Sequence, residues 1–316
     1  MTPCHWAVYL APLPRYLPHP IRSDRGVRTR SSVGEHLVDI EGVAGSIPAA
    51  STTGSRLAVK ASYARAVARV SWPITEGDAA PTAAKRGPIS QALYGRMMEY
   101  PKHQLFRRLQ ALDRPCRGIL QVGANSGQEL QHFRQFGVSR GVMIEPLDEA
   151  FKALCENIGE DERFIPIQAV CSAQDGEQVD FYVASNPEAS SMLAPKRVLS
   201  AHPQVTFAER VGLVSTTVDA IVSKLEQSRP DIRAEDFDVL LLDTQGAELK
   251  VMMGAVRMLQ HVQNVWTEVS YDLYENGADL EDQQAFLRPF GFRLSYVRLN
   301  IHGWGDALFV KPRPKA

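Results

Sequence analysis

Residues 121–130 read QVGANSGQEL. The apolar run that precedes them, GIL at 118–120, continues through Val122 and stops at Gly123. Ala124, Asn125 and Ser126 separate it from a second glycine, Gly127, after which a helix-forming segment begins. A short apolar strand, a glycine turn and a helix in succession form the opening of a βαβ unit. Glycine at such a turn lets the backbone bend sharply and lets another group touch the main chain.

Beyond this turn, strands and helices alternate. GVMIEP (141–146), RFIPIQAV (163–170), DVLLLD (238–243) and NVWTEVS (264–270) are apolar strands. EQVDFYVAS (177–185) alternates like a half-exposed strand. Helices are expected over 127–136, 148–158, 216–225 with Thr216 or Thr217 as cap, 246–259 and 281–290, and a leader helix over 91–113. Buried strands alternating with helices imply a parallel sheet covered on both faces. FRLSYVR (292–298) and DALFVKP (306–312), joined through NIHGWG, are expected to close the sheet as an antiparallel hairpin.

Residues 1–88 are a different kind of sequence. They hold 11 Lys/Arg against 6 Asp/Glu and nine of the 20 prolines, with no sustained period of 3.6 or 2. The remainder holds 24 basic and 30 acidic residues. The expected division is therefore a disordered segment over 1–88 and one α/β domain over 89–316. Within the first segment, TRSSVGEHLVDIEGVAGSIPAAST (29–52) resembles a translated transfer-RNA gene. GSIP can be encoded by a string holding the GTTCGA of a T loop, and SSVGEH by one close to a D arm. HLVDIEG can be encoded by a hairpin, CCTCG with CGAGG, that carries a valine anticodon in its loop. On that reading the functional start lies downstream, at Met97 or Met98.

The whole chain carries a net charge of -1 and is 22% charged, which argues against general nucleic-acid binding. No apolar run approaches the ~20 residues that span a bilayer. Cys4, Cys116, Cys155 and Cys171 are scattered, which fits a reducing, cytoplasmic setting and no zinc site.

In an open α/β sheet the ligand sits outside the carboxyl ends of the strands, at the switch point. The turn G-A-N-S-G lacks the middle glycine of the dinucleotide pattern GxGxxG. It suits a ligand without a pyrophosphate, such as S-adenosyl-L-methionine. Glu145, at the end of the next strand, stands where an acid accepts both ribose hydroxyls. Each feature also has a plain reading, a structural turn and a solvated strand-end glutamate, but together they favour a nucleoside site.

With QVGANSGQE, MIEPLDEAFKALCEN, NPEASSML (186–193), LLLDTQGAELKVMMGA, VWTEVSYDLY and PFGFRL in this order, the chain resembles the FkbM family of S-adenosylmethionine-dependent methyltransferases over roughly residues 117–311. The resemblance implies a Rossmann-like class I fold: a mostly parallel seven-stranded sheet with helices on both faces. It implies methyl transfer to an oxygen of a sugar or other small natural product. Gly123, Asn125 and Gly127 would hold the methionine part of the cofactor, Glu145 the ribose, and Ala169 to Ser172 the adenine. Asp243 would face the methyl group. Gln245 stands where the family commonly has Glu, and an amide cannot take a proton.

A hydroxyl acceptor must lose a proton, so a base in reach is needed. Asp243 is the first candidate and Glu268 the second, with Glu248 behind them. Asp243 could instead cap the helix after Gly246, and Glu248 could serve only the helix dipole. His302 could line the acceptor pocket, Tyr271 and Tyr274 could form an acceptor wall or simply core, and Ser190 and Ser191 could contact substrate or serve only the turn. No spacing demands a metal. Two other classes stay open: a non-catalytic nucleoside-cofactor-binding protein, to which Gln245 points, and a nicotinamide oxidoreductase, against which the missing GxGxxG counts.

Overall fold

The computed structural model describes residues 101–114, 116–300 and 303–312. The 1–88 segment, the transfer-RNA-like stretch, residues 91–100 of the expected leader helix and His302 lie outside the described residues.

The chain runs α1 (Pro101–Ala111), β1 (Gly118–Val122), α2 (Leu130–Gln135), β2 (Arg140–Glu145), α3 (Asp148–Ile158) and β3 (Phe164–Gln168). It continues with β4 (Val170–Cys171), β5 (Gln178–Ala184), α4 (Val198–Ala201), β6 (Phe207–Thr216), α5 (Val218–Ser228) and β7 (Val239–Leu242). It ends with α6 (Glu248–Met253), α7 (Val256–His261), β8 (Asn264–Ser270), α8 (Leu280–Leu287), β9 (Arg293–Leu299) and β10 (Trp304–Val310).

Seven strands form one sheet in the order β3-β2-β1-β7-β8-β10-β9. β10 runs antiparallel to both its neighbours, while β1, β2, β3, β7 and β8 are parallel. This is the Rossmann-like, mostly parallel sheet with its closing hairpin. The hairpin inserts its second strand, so β10 rather than β9 lies against β8. Connections leave β1 in one direction and β7 in the other, so the switch point falls between them.

Side-chain alternation divides the core into two layers. Ile119, Met143, Phe164, Leu241 and Trp266 face α1, α2 and α3, where Leu105, Phe106, Phe133 and Leu154 are buried. Leu120, Val142, Ile144, Leu240 and Val265 face α5, α6, α7 and α8. Leu105, Phe106 and Leu109 fit the expected leader helix, whereas Leu112 falls beyond its end and is exposed.

Three local expectations change. The strand expected over 163–170 is cut after Gln168; β4 leaves the main sheet and pairs parallel with β6, itself antiparallel to β5, in a separate three-stranded sheet. β6 was not expected, because FAERVGLVST mixes exposed and half-buried positions without a clean period. The single helix expected over 246–259 is two helices, interrupted at Gly254, whose carbonyl accepts from Asp219 N at 3.0 Å and whose missing Cβ would lie 2.1 Å from the Ser172 carbonyl oxygen. Thr217, not Thr216, caps α5, accepting a hydrogen bond from Ala220 N at 3.1 Å. Among the described residues, no helix is long and apolar enough to cross a membrane.

Candidate active site

The carboxyl ends of β1, β2, β7 and β8 open into one cavity of about 260 Å³. Its lining includes Gly123, Asn125, Glu145, Ala169, Asp243 and Glu268. Two further sequence candidates, Gly127 and Ser172, lie outside that lining. A Cβ on Gly127 would meet Leu130 at 2.6 Å and Leu154 at 2.8 Å, so this glycine serves helix packing. Ser172 is buried, with its carbonyl against Gly254.

At the β1 end, Gly123 (φ +82°) and Ala124 both donate to the Ile144 carbonyl at 3.0 Å. Asn125 follows in a left-handed conformation, φ +45°, which Asn tolerates better than most residues. Its backbone N–H donates to Glu145 Oε2 at 2.9 Å, and Leu147 N–H donates to Glu145 Oε1 at 3.0 Å. Each carboxylate oxygen has two lone pairs, so both keep one for a ligand hydroxyl. Burial pushes the Glu145 carboxyl up to about 7, against the pull of these two backbone bonds. Pro146, Leu147, Val170 and Phe181 supply apolar walls beside it.

The other end of the cavity is built around Gln245. Its amide Nε2 donates to Asp243 Oδ1 at 2.9 Å and to Glu268 Oε2 at 2.8 Å. One side-chain amide thus bridges two carboxylates from adjacent strands. The remaining oxygen, Glu268 Oε1, accepts from the Trp304 indole N–H. Burial raises the Glu268 carboxyl well above the usual range, and the negative charges of Asp243 and Glu248 add to that. Gln245 itself has φ +54°, a costly conformation for a non-glycine residue that the surroundings must impose. Ser191 Oγ donates to its carbonyl at 2.8 Å, and the Tyr274 hydroxyl stands 3.1 Å from its Oε1.

Asp243 does not cap the following helix. Glu248 performs the local work, its Oε1 accepting from Thr244 N at 2.8 Å and Gly246 N at 3.2 Å. Glu248 is fully buried and its Oε2 has no partner among the described residues, so burial lifts this carboxyl to about 7. Ser190 and Ser191 are buried; Ser190 Oγ accepts from Ala184 N, and Ser190 also lines the cavity. Trp304 was not singled out from the sequence. Its signal was its place two residues from His302 in the NIHGWG loop. Among the described residues, no three His, Cys, Asp or Glu side chains are placed to hold a metal ion.

The model of the methyltransferase FkbM domain matches residues 121–294. The chain belongs to this family. It is thus an S-adenosylmethionine-dependent methyltransferase by family. The 2-O-methyltransferase NoeI of Sinorhizobium fredii is 26% identical over 173 residues, covering 52% of this chain and 68% of that protein. Among solved structures, Streptococcus pneumoniae Sp1610 in complex with S-adenosyl-L-methionine is 10% identical. It covers 68% of this chain and 74% of that chain at a TM-score of 0.34. The methyltransferase domain of bacterial CtHen1 is 8% identical, covering 67% of this chain and 98% of that chain at a TM-score of 0.38.

Proposed function

We propose that this FkbM-family domain methylates a hydroxyl oxygen of a small, polyhydroxylated acceptor such as a sugar. The observation that carries the reading is the amide-bridged pair of carboxylates, Asp243 and Glu268, at one end of a cavity whose other end holds the buried Glu145. The residues fit S-adenosylmethionine. Glu145 offers a carboxylate to the ribose hydroxyls, Pro146, Leu147, Val170 and Phe181 offer apolar faces to the adenine, and Asn125 and Gly123 border the methionine part. When bound, this cofactor supplies an electrophilic methyl group on a sulfonium.

The chain's own task is to place the acceptor oxygen and remove its proton. Asp243, only half-buried, is the base in reach of solvent and cavity. Glu268 is the deeper member, and the two share the Gln245 amide. The bonds that Glu268 accepts from Gln245 and Trp304 favour its ionised form, while burial, the larger effect, favours the neutral one. That NoeI is named a 2-O-methyltransferase supports an oxygen acceptor. Residues 1–88 take no part in this reading.

The test is turnover with radiolabelled S-adenosylmethionine against a panel of sugars and hydroxylated natural products. The native chain is expected to label at least one hydroxyl, and Asp243→Asn to lose ~10²–10⁴ in rate, the usual contribution of a general base. Cofactor binding by calorimetry should survive in Asp243→Asn and in a chain starting at Met97. Label on nitrogen or carbon only, or undiminished turnover by Asp243→Asn, would sink the proposal.

A further inference from the structure

We propose that Tyr274 is a positioning residue for the acid pair: its hydroxyl holds Gln245 Oε1, so that both N–H bonds of the amide point at Asp243 and Glu268. This deepens the reading above and rests on it. A primary amide can turn end for end, and only one orientation presents two donors to two carboxylates. In the reverse orientation Gln245 Oε1 would face both acids, oxygen against oxygen. In the observed one, Oε1 points away from the acids and needs a donor of its own.

Tyr274 supplies it. Its hydroxyl oxygen is 3.1 Å from Gln245 Oε1 and 2.8 Å from the Ala189 carbonyl oxygen. The ring cannot drift, because Tyr274 is buried and Gly246 passes so close that a Cβ there would stand 3.2 Å from the ring. Burial, with the charges of Glu268, Glu248 and Asp243 behind it, raises the phenol, so Tyr274 stays a donor through the neutral range. One hydroxyl proton serves two acceptors. Ala189 belongs to the cavity wall, so Tyr274 ties that wall to the amide that orders the acids.

A purely structural tyrosine would fill space and leave the acids alone. A positioning tyrosine changes how readily Glu268 ionises, with Asp243, Glu248 and Asp306 the other acids that face it. Trp304 reports this, because its indole N–H donates to Glu268 Oε1. The measurement is the pH dependence of fluorescence in the full chain, taken as the difference between the native protein and Trp304→Phe. Losing the Tyr274 hydroxyl frees the amide, weakens its bond to Glu268 and makes that carboxyl harder to ionise. The midpoint is therefore expected to rise by about half a pH unit or more in Tyr274→Phe, and further in Gln245→Leu. 3-Fluorotyrosine at position 274, a stronger donor on the same ring, should lower it, and it keeps the test open if Tyr274→Phe does not fold.

A midpoint unmoved by both Tyr274 changes but moved by Gln245→Leu overturns the role of Tyr274. A midpoint unmoved by all three, or a flat native signal, overturns the whole arrangement. No methyl acceptor enters this titration, so failure of the methyl-transfer reading shows in the turnover assay alone.

Discussion

A Cβ built on Gly123 would lie 1.8 Å from the carbonyl oxygen of Asp243. The glycine that ends β1 is therefore pressed against the backbone that ends β7. These are the two strands either side of the switch point, and two residues beyond Gly123 and Asp243 stand non-glycine residues at positive φ, Asn125 on one loop and Gln245 on the other. The close approach lets both loops open into one cavity. The space spared at Gly123 is taken by the neighbouring strand, while the cavity borders the same residue from its other side.

Gly123→Ala should consequently fail through crowding as well as backbone strain. Backbone cannot move aside as a flexible side chain can, and the φ of +82° is unfavourable for alanine. We expect a loss of about 3 kcal/mol or more in urea unfolding, at the upper end of single substitutions. Gly137→Ala is the control. Its φ is also positive, +73°, but nothing lies within 4 Å of a Cβ there, so its cost should be about 1 kcal/mol. Equal losses at the two sites would refute crowding as the cause.

Cofactor affinity should depend on the proton at Glu145. Ribose hydroxyls donate to a carboxylate better than to a carboxylic acid, and burial holds this group at about 7. As pH falls from 8 to 6 the native protein should bind S-adenosylmethionine roughly tenfold more weakly, the slope of a single titrating group. Glu145→Gln should bind weakly at both pH values with no slope. Calorimetry at pH 6 and 8 decides it, and a native affinity independent of pH would count against Glu145 as the ribose acceptor.

The strands of the main sheet were legible because they are short, largely apolar and separated by helices of matching period. Val239 to Leu242 are all buried, and the sequence reads VLLL there. Of the second sheet only β5 was legible, as a half-exposed strand, while its partner β6 was not. β5 and β6 are mostly half-exposed, so the apolar period that marks a core strand is faint. At the cavity, Glu145 and Asp243 were found because strand ends are fixed by the strands themselves. The bridge from Gln245 to Glu268 was not, since it joins residues 23 apart in sequence through a left-handed backbone turn. Trp304 at the start of β10 and Tyr274 in the loop after β8 reach the same group of residues, and no spacing rule connects them.

Gln245→Glu should test the bridge. The substitution replaces two donors with a third carboxyl beside Asp243 and Glu268. Like charges this close cannot all ionise, so one proton must stay bound. The variant should be near native in stability at pH 6 and lose about 2–4 kcal/mol by pH 8, the range for breaking a buried charged network. Thermal unfolding at the two pH values measures this. A variant as stable as the native chain at pH 8 would mean that the amide does not hold the acids together.

The native domain should itself become less stable as pH rises from about 5 to 8. Glu145 and Glu248 are each lifted by burial from 4.5 to about 7, and Glu268 is lifted well above its ordinary value. Between the ordinary and the raised value the folded chain holds protons that the unfolded chain has released. Stability then falls with rising pH, because the slope follows the excess of protons on the folded state. For Glu145 alone the full window is worth about 3 kcal/mol. Asp161 and Asp231, held down to about 2 by Arg163 and Arg229, act in the opposite sense but only below pH 4. Urea midpoints at pH 5, 6, 7 and 8 should decline in that order. Glu248→Gln should flatten the decline, since it removes one titrating group that lines no part of the cavity. Midpoints that instead climb with pH would show that these three carboxyls are ionised in the fold. The Gln245 amide would then bridge two full charges throughout the neutral range.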